Sequence, residues 1–325
     1  MRKIMSIDGG GTKVLCLIAD EEGNLLGTGT GGSANGSFNT PEEVNESVSA
    51  AIVEALESSK GSADASDIGT VYCAMPANPR PAVHDKLGGQ VDLREVGEFT
   101  LSLYAAIQEE YGALALAGTG SFVHLKTETV SKRAGGHGSL FGDEGSGYDI
   151  GRQALIAYTR VLDGTEPSTP LFESINERLG EWKLSHIYEI ISLPRGRQRS
   201  FISSLCRSVG HCAAGGDPVA AEILRKAGES LAYQMNGLLS KLGDELPNPF
   251  KASIAGGVWK AHPIVFSTFA ECVERAHPSV DVVAPLFEPV AGGILLGLMH
   301  RGFPVKENID LLKERLSPFL YRLPQ

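Results

Sequence analysis

The sequence has little of what marks several large classes of protein. Its cysteines form no CxxC pair, which argues against a thiolate metal site and favours reduced, buried thiols; they are Cys16, Cys73, Cys206, Cys212 and Cys272. No apolar run approaches the roughly 18 residues that a membrane-spanning helix needs. The formal net charge of −10 is opposite in sign to that of a nucleic-acid-binding surface. We therefore expect a cytoplasmic protein that binds neither a membrane nor nucleic acid.

Two common nucleotide-binding signatures are also missing. The chain has no GxxxxGKS/T loop and no GxGxxG segment that opens a helix. Glycine itself is plentiful, with 39 residues that cluster in a few turns. Backbone groups in those turns are therefore the candidates for ligand binding.

The strongest candidate is the first glycine turn, where residues 4–15 read IMSIDGGGTKVL. An apolar strand ends in Asp8, and glycines 9–11 lead through Thr12 and Lys13 into a second strand. Glycines without Cβ atoms let backbone N–H groups approach phosphate oxygens. Asp8 would hold Mg²⁺ through water, since Mg²⁺ keeps much of its hydration shell. The alternative is a plain hairpin with a surface acid, which requires fewer than three glycines.

Three later segments also combine glycine with an adjacent strand or helix. Residues 118–121 read GTGS after an apolar strand, residues 142–147 read GDEGSG before a helix, and residues 255–258 read AGGV after another strand. Taken singly, each has an ordinary alternative: a plain turn, an acid favoured by a helix N-terminus, or a strand-to-helix turn. Their value comes from their combination with the first turn.

The hydrophobic periodicity predicts an α/β chain. We predict strands at 3–8, 13–19, from 25, 68–74, 91–99, 113–117, 252–254 and 280–284. We predict helices from 41 to about 56 and at 101–110, 264–275, 290–300 and 309–316. The stretch 148–242 is predicted to be mostly helical, with a loop around 193–199.

In their order along the chain, DGGGTK, AGTGS, GDEGSG and AGGVW resemble segments of N-acetylglucosamine kinases of the BadF/BadG/BcrA/BcrD ATPase family. That family belongs to the superfamily of sugar kinases, actin and heat-shock ATPases. The resemblance implies two ribonuclease-H-like (actin-like ATPase) domains with an interdomain cleft. It places one domain at 1–116, completed by the helix at about 298–325, and the other at 117–297. It further implies ATP and Mg²⁺ as cofactors, an amino-sugar acceptor, most readily N-acetylglucosamine, and a homodimer.

The resemblance also assigns the site residues. Asp8 would serve Mg²⁺. The phosphates would be cradled by Gly10, Gly11, Thr12, Lys13, Gly118, Thr119 and Gly120. The adenosine would lie near Gly256 and Gly257 with Ser203, and the sugar would contact Asn35, Gly136, His137 and Asp143.

Two departures from the family pattern concern the acceptor side. The family has a general-base Asp about twenty residues before the GTGS turn, where this chain reads EVGEFT, so that Glu98 is the positional match. His137 stands where the family often has a Trp. An ATPase or nucleotide-driven switch without sugar transfer, and a non-catalytic sugar or nucleotide sensor, therefore remain as alternatives. The iron–sulfur activators of the family are disfavoured, because no cysteine lies in the GTGS or GDEGSG loop.

Overall fold

The computed structural model describes residues 2–37, 39–180 and 184–324, which form two compact units. The first unit comprises Met1–Glu110 and Pro285–Tyr321. The second comprises Tyr111–Ala284 and Arg322–Gln325. The polypeptide therefore leaves the first unit after residue 110 and returns to it at residue 285.

The first unit contains a five-stranded mixed sheet in the order β3-β2-β1-β4-β5. Its strands are β1 (Lys3–Gly9), β2 (Val14–Ala19), β3 (Leu25–Gly31), β4 (Ile68–Ala74) and β5 (Asp92–Glu95). The first three strands form an antiparallel meander, and β4 and β5 are added parallel to β1. Its helices are α1 (Pro41–Ser58), α2 (Arg80–Leu87), α3 (Glu98–Ile107), α11 (Ala291–His300) and α12 (Ile309–Arg315).

Alternation along β1 explains how this sheet divides its two cores. Met5 and Ile7 pack into the cluster that contains the buried face of α1. Ile4 packs into the opposite cluster, which contains residues of α3 and α11. Because side chains alternate between the two faces of a strand, Asp8 lies on the α3 and α11 side of the sheet.

The second unit contains a five-stranded sheet in the order β10-β9-β6-β7-β8. Its strands are β6 (Gly112–Ala117), β7 (Ser121–Lys126), β8 (Ser131–Gly135), β9 (Phe250–Ala255) and β10 (Val280–Val282). The first three are antiparallel, and β9 and β10 are parallel to β6. The two sheets therefore have the same strand order and the same strand senses, with β6 corresponding to β1.

A helical insertion between β8 and β9 distinguishes the second unit from the first. The helices are α4 (Gly147–Leu162), α5 (Pro170–Leu179), α6 (Leu184–Ser192), α7 (Arg195–Ser204), α8 (Cys206–Ala214) and α9 (Pro218–Leu242). After β9, α10 (Pro263–Ala276) returns the chain to β10. In the described part of the chain, no helix is long and apolar enough to cross a membrane.

The first unit has the βββαβαβα order of the predicted ribonuclease-H-like fold, and the second follows the same order as far as β10, after which the chain returns to the first unit. The predicted fold class is confirmed. The start of α1 is also as predicted. Thr40 accepts a hydrogen bond from the Glu43 amide, and the Glu43 side chain accepts one from the Thr40 amide, which forms a capping box.

Two local predictions are wrong. The strand predicted at 91–99 ends at Glu95, because Gly97 takes the N-cap position of α3 and Glu98 begins that helix. The loop predicted around 193–199 is mostly the start of α7, which begins directly after Pro194. Three further elements, α2, β7 and β8, were not predicted.

Candidate functional site

In the first unit, the DGGGTK segment forms the hairpin between β1 and β2. Gly9 pairs with Val14 in the sheet, and the Gly10 amide donates a 3.0 Å hydrogen bond to the Lys13 carbonyl. The turn is open on its outer side: a Cβ atom built on Gly10 would have no heavy atom within 4 Å. The hairpin thus presents bare backbone, as the sequence predicted, and this shape leaves room for a ligand.

Asp8 is the acid of this hairpin, and the fold raises its pKa. Its burial and the nearby negative charge of Glu98 raise its pKa to about 7, with Glu288 adding to the increase and Lys13 opposing it. Asp8 shares a sheet face with α3 and α11, so the first residue of α3 and the residue before Pro289 lie within electrostatic reach. A cation would relieve the repulsion among these three carboxylates.

The donor set around Asp8 fits a hard, hydrated cation. Within the described residues, no group of three or more His, Cys, Asp or Glu side chains is arranged to hold a metal ion. Mg²⁺ is commonly bound by one or two carboxylates together with water and substrate phosphates. Asp8 beside an open glycine turn matches that mode, and it does not match an all-protein cage.

Glu98 is exposed at the first position of α3. A helix N-terminus favours an acid through its dipole, which is a sufficient structural reason for a glutamate there. Its effect on the pKa of Asp8 nevertheless brings the two carboxylates into one site. The sequence interpretation paired them through a family resemblance, and the fold supplies a physical connection.

Asn35 also lies at the first hairpin. The Ala34 amide donates to the Gly10 carbonyl at 3.0 Å, and a Cβ on Gly11 would lie 3.8 Å from Asn35 Nδ2. Asn35 Oδ1 accepts from the Ser37 amide at 2.9 Å, so the oxygen shapes its own turn. The amide nitrogen is thus the atom that faces the glycine turn.

In the second unit, the GTGS segment forms the corresponding hairpin between β6 and β7. The Gly118 amide donates to the Gly120 carbonyl at 2.9 Å. The first turn of α4 is bound to this loop, because the Gly147 amide donates to the Gly118 carbonyl at 2.8 Å and the Tyr148 amide to the Thr119 carbonyl at 3.3 Å. The GDEGSG segment, which leads into α4, is thereby held against the second glycine turn.

Asp143 lies under this turn in an uncommon backbone conformation. Its φ is +61°, it is 2% exposed, and its Oδ2 accepts from Arg199 Nη2 at 2.5 Å. A Cβ on Gly120 would lie 2.6 Å from Arg199 Nη2 and 3.0 Å from Asp143 Oδ2. Gly120 therefore has a structural reason to be glycine, because the ion pair occupies the space of a side chain.

The segment predicted to lie near adenosine also converges on the second turn. Gly256 has a φ of +102°, and a Cβ there would collide with the Ala117 carbonyl. A Cβ on Gly147 would lie 3.4 Å from the Ser203 carbonyl oxygen, so α7 brings Ser203 to the start of α4. Gly257 follows at the N-cap of a short 3₁₀ helix.

Gly136 and His137 lie in the loop between β8 and α4. Gly136 has a φ of +71° and packs against the Arg133 side chain. His137 is exposed, and a Cβ on Gly142 would lie 3.2 Å from its backbone nitrogen. His137 is thus on the same loop as Asp143, with Leu140 81% and Phe141 79% exposed between them.

The structure gathers the predicted site residues into one group in each unit. The first unit holds Asp8, Gly10, Gly11, Thr12, Lys13, Asn35 and Glu98. The second holds Gly118, Thr119, Gly120, Gly136, His137, Asp143, Ser203, Gly256 and Gly257. Sequence reasoning missed Glu288 and Arg199, since each acts on a partner far away along the chain and no local pattern marks either residue.

The fold defines the class of protein first: an α/β protein with two ribonuclease-H-like units, as in the actin-like ATPases. Residues 6–297 match the model of the BadF/BadG/BcrA/BcrD ATPase family. This match covers most of the chain, and the protein belongs to that family.

Two curated relatives align along nearly all of the chain. The N-acetylmuramic acid/N-acetylglucosamine kinase of Clostridium acetobutylicum is 27% identical over 307 residues, covering 91% of this chain and 98% of that protein. The N-acetyl-D-glucosamine kinase of Dictyostelium discoideum is 25% identical over 309 residues, covering 90% and 97%.

A solved structure has the same fold. It is assigned as an N-acetylglucosamine kinase from Chromobacterium violaceum, and it superimposes with a TM-score of 0.69 at 21% identity, covering 92% of this chain and 99% of that one. At this identity the likeness bears on the fold alone.

Proposed function

We propose that this protein transfers the γ-phosphoryl group of ATP to a hydroxyl group of an amino sugar, with N-acetylglucosamine as the first acceptor to test. Both curated relatives are named as kinases of N-acetylglucosamine. The observation that carries the proposal is structural. Two sheets of the same order each place a glycine hairpin at the same pair of strands, and Asp8 is the next-to-last residue of the first strand in one of them.

On the nucleotide side, catalysis would rest on positioning and charge neutralisation. Mg²⁺ would neutralise charge on the phosphates, and Asp8 would hold it through water. Backbone amides of residues 11, 12, 119 and 120 would bind phosphate oxygens, and Lys13 would add positive charge. Gly10 and Gly118, whose amides donate within their own turns, would leave room for the phosphates because they have no side chain. Gly256, Gly257 and Ser203 would border the adenosine.

On the acceptor side, Asn35, Gly136, His137 and Asp143 would bind the sugar. Glu98 would accept the proton of the attacking hydroxyl group. Its exposure leaves its carboxylate accessible to an acceptor. The side chain is one methylene longer than the family aspartate, and a misplacement of ~1 Å is enough to lower a rate by about 10²-fold.

That extra length supports a second candidate function, hydrolysis of ATP without sugar transfer. An exposed glutamate beside the proposed Mg²⁺ site is able to activate water as well as a sugar hydroxyl. A stable rate of phosphate release that sugars do not change would favour this function over the kinase.

We further propose a cytoplasmic homodimer, with domains at 1–116 plus 298–325 and at 117–297. The five cysteines are free thiols in the described structure, which suits a reducing compartment. Light scattering would give twice the chain mass for a dimer.

The kinase is tested by incubating the purified protein with MgATP and a panel of hexoses and hexosamines. Sugar phosphate is identified by mass spectrometry, and ADP and inorganic phosphate are measured separately. We expect phosphorylation of N-acetylglucosamine. Formation of ADP without sugar phosphate would support the ATPase function. Binding of nucleotide without turnover would support the non-catalytic sensor.

The role of Glu98 is tested with Glu98→Gln, which we expect to lower kcat by at least about 10²-fold, the contribution typical of a general base. Glu98→Asp, which restores the family residue, should keep or raise kcat. Glu42 is an exposed acid in the first turn of α1 in the same unit, so Glu42→Gln is the matched control. Equal activity of Glu98→Gln and wild type would remove Glu98 from the mechanism.

A further inference from the structure

The second unit contains a cavity of about 1160 Å³ between α4, α5 and α9. Side chains spaced four or seven residues apart on α4 and α9 line its two long walls, as expected for residues on one face of a helix. These apolar residues are Ile150, Ala157 and Val161 on α4, and Val219, Ile223 and Ala227 on α9. Tyr158 and Phe172, stacked with ring centroids 4.8 Å apart, line the end formed by α5. These two walls and this end of the cavity are therefore apolar.

The loop that carries the proposed acceptor residues lines one part of this cavity. Gly135, His137 and Glu144 line it. Both ends of the loop rest on α9: a Cβ on Gly145 would lie 2.6 Å from the Ala227 carbonyl oxygen, and a Cβ on Gly135 would collide with Gln234 Oε1. The Gln234 amide also donates to Glu144 at 3.2 Å. A sugar bound by this loop would therefore lie next to the cavity.

Several of the charged side chains that line the cavity are held in ion pairs. Glu222 pairs with Arg225 at 2.6 Å and with Lys226 at 3.4 Å, and Glu229 also pairs with Arg225. Asp149 pairs with Arg152 at 3.1 Å. Glu144, Arg160 and Glu166 also line the cavity, so it is the apolar walls on α4 and α9 that suit a neutral apolar group.

The volume is too large for a simple monosaccharide substituent. Pockets for whole drug-sized ligands measure about 300–1,000 Å³, and an acetyl group has only two carbon atoms. We propose that the cavity receives an uncharged apolar substituent of the amino-sugar acceptor, larger than acetyl, while the sugar ring stays at the His137 loop. This inference rests on the proposed kinase function and defines its acceptor as an apolar-substituted amino sugar.

The test compares kcat/KM for two series of acceptors. One series extends the N-acyl group of glucosamine from acetyl to hexanoyl, and the other extends an alkyl group on the anomeric oxygen of N-acetylglucosamine. Burial of each methylene should raise kcat/KM by up to about fourfold in the series whose substituent enters the cavity. The series in which kcat/KM rises shows whether the N-acyl group or the anomeric oxygen of the sugar faces the cavity.

Ala157→Phe fills the cavity, and Ala221→Phe on α9 is the matched control, since Ala221 has similar exposure and does not line the cavity. We expect Ala157→Phe to lower the ratio of kcat/KM for hexanoyl over acetyl by at least about tenfold, and Ala221→Phe to leave that ratio unchanged. If Ala157→Phe does not fold, as judged by thermal unfolding, Ala157→Leu provides the same comparison with a smaller side chain.

The outcomes separate this inference from the kinase proposal. Phosphorylation of N-acetylglucosamine with falling kcat/KM along both series overturns the cavity assignment and leaves the kinase intact. A gain along one series that Ala157→Phe does not reduce also overturns the assignment. Failure to phosphorylate any acceptor overturns both proposals together.

Discussion

Arg199 and Asp143, 56 residues apart in the chain, form a 2.5 Å ion pair beneath the second glycine turn. The Asp143 side chain is 4% exposed and that of Arg199 is 20% exposed. The Ser121 amide also donates to Asp143 Oδ1 at 3.4 Å. The carboxylate thus joins α7, the GTGS loop and the start of the GDEGSG segment.

Removal of the Arg199 charge should destabilise the second unit. Arg199→Met leaves a buried carboxylate without its countercharge, and we expect a loss of about 2 kcal/mol, reduced from the value for a fully buried pair because Arg199 is partly exposed. Urea unfolding followed by far-UV circular dichroism measures the loss. Combining it with Asp143→Asn should recover part of that energy.

The control for this prediction is Arg152→Met. Arg152 forms a comparable pair with Asp149 at 3.1 Å, but its side chain is 49% exposed, so the expected loss is below about 1 kcal/mol. Similar losses for both variants would mean that burial of Asp143 does not matter to stability.

Asp8 should make stability depend on pH. Its pKa is raised from 3.8 to about 7 in the folded protein. The folded state therefore binds this proton more tightly than the unfolded state. Below about pH 4 Asp8 is protonated in both states and does not lower the free energy of unfolding. As pH rises from about 4 to about 7, Asp8 lowers the free energy of unfolding progressively, by a total on the order of 2–4 kcal/mol.

Asp8→Asn should remove this dependence. Urea midpoints of wild type and Asp8→Asn, measured from pH 5 to pH 8, should diverge as pH rises, with the variant more stable above pH 7 and inactive with MgATP. Parallel curves across this range would contradict the raised pKa.

The openness of the first glycine turn distinguishes a phosphate site from an ordinary hairpin. Gly10 has no heavy atom within 4 Å of an added Cβ, so Gly10→Ala should change the free energy of unfolding by no more than about 0.5 kcal/mol. The added methyl group would nevertheless stand where phosphates are proposed to approach. We expect the Kd for ATP, measured by calorimetry, to rise at least tenfold. An unchanged Kd would favour the ordinary hairpin.

Gly256 and Gly257 provide a matched pair of substitutions in the second unit. Gly256→Ala forces a side chain onto a φ of +102° and against the Ala117 carbonyl, which should cost about 1–3 kcal/mol. Gly257 has a φ of −79° and open space around it, so Gly257→Ala should fold normally and weaken only ATP binding. Thermal unfolding with and without an ATP analogue separates the two effects.

Sequence reasoning succeeded where local signals specify local structure. The glycine turns, the Thr40 cap and the apolar strands depend on neighbouring residues, and all of them are found in the fold. It failed at the start of α3, because Val91, Leu93 and Val96 continue a strand-like pattern until Gly97 ends it. A single sequence also gives no sign that Arg199 meets Asp143, since that contact arises only from the packing of α7 on α4.

The placement of α11 in the first unit has a consequence for the order of folding during synthesis. Ile4 and Tyr72 on the first sheet are covered by Ile294 and Leu298, which leave the ribosome only after residues 111–284 of the second unit. Both sheets can therefore have been synthesised while the first still exposes one apolar face. The first unit is thus the last to mature, and its nascent residues 1–110 are the ones that most need protection from aggregation.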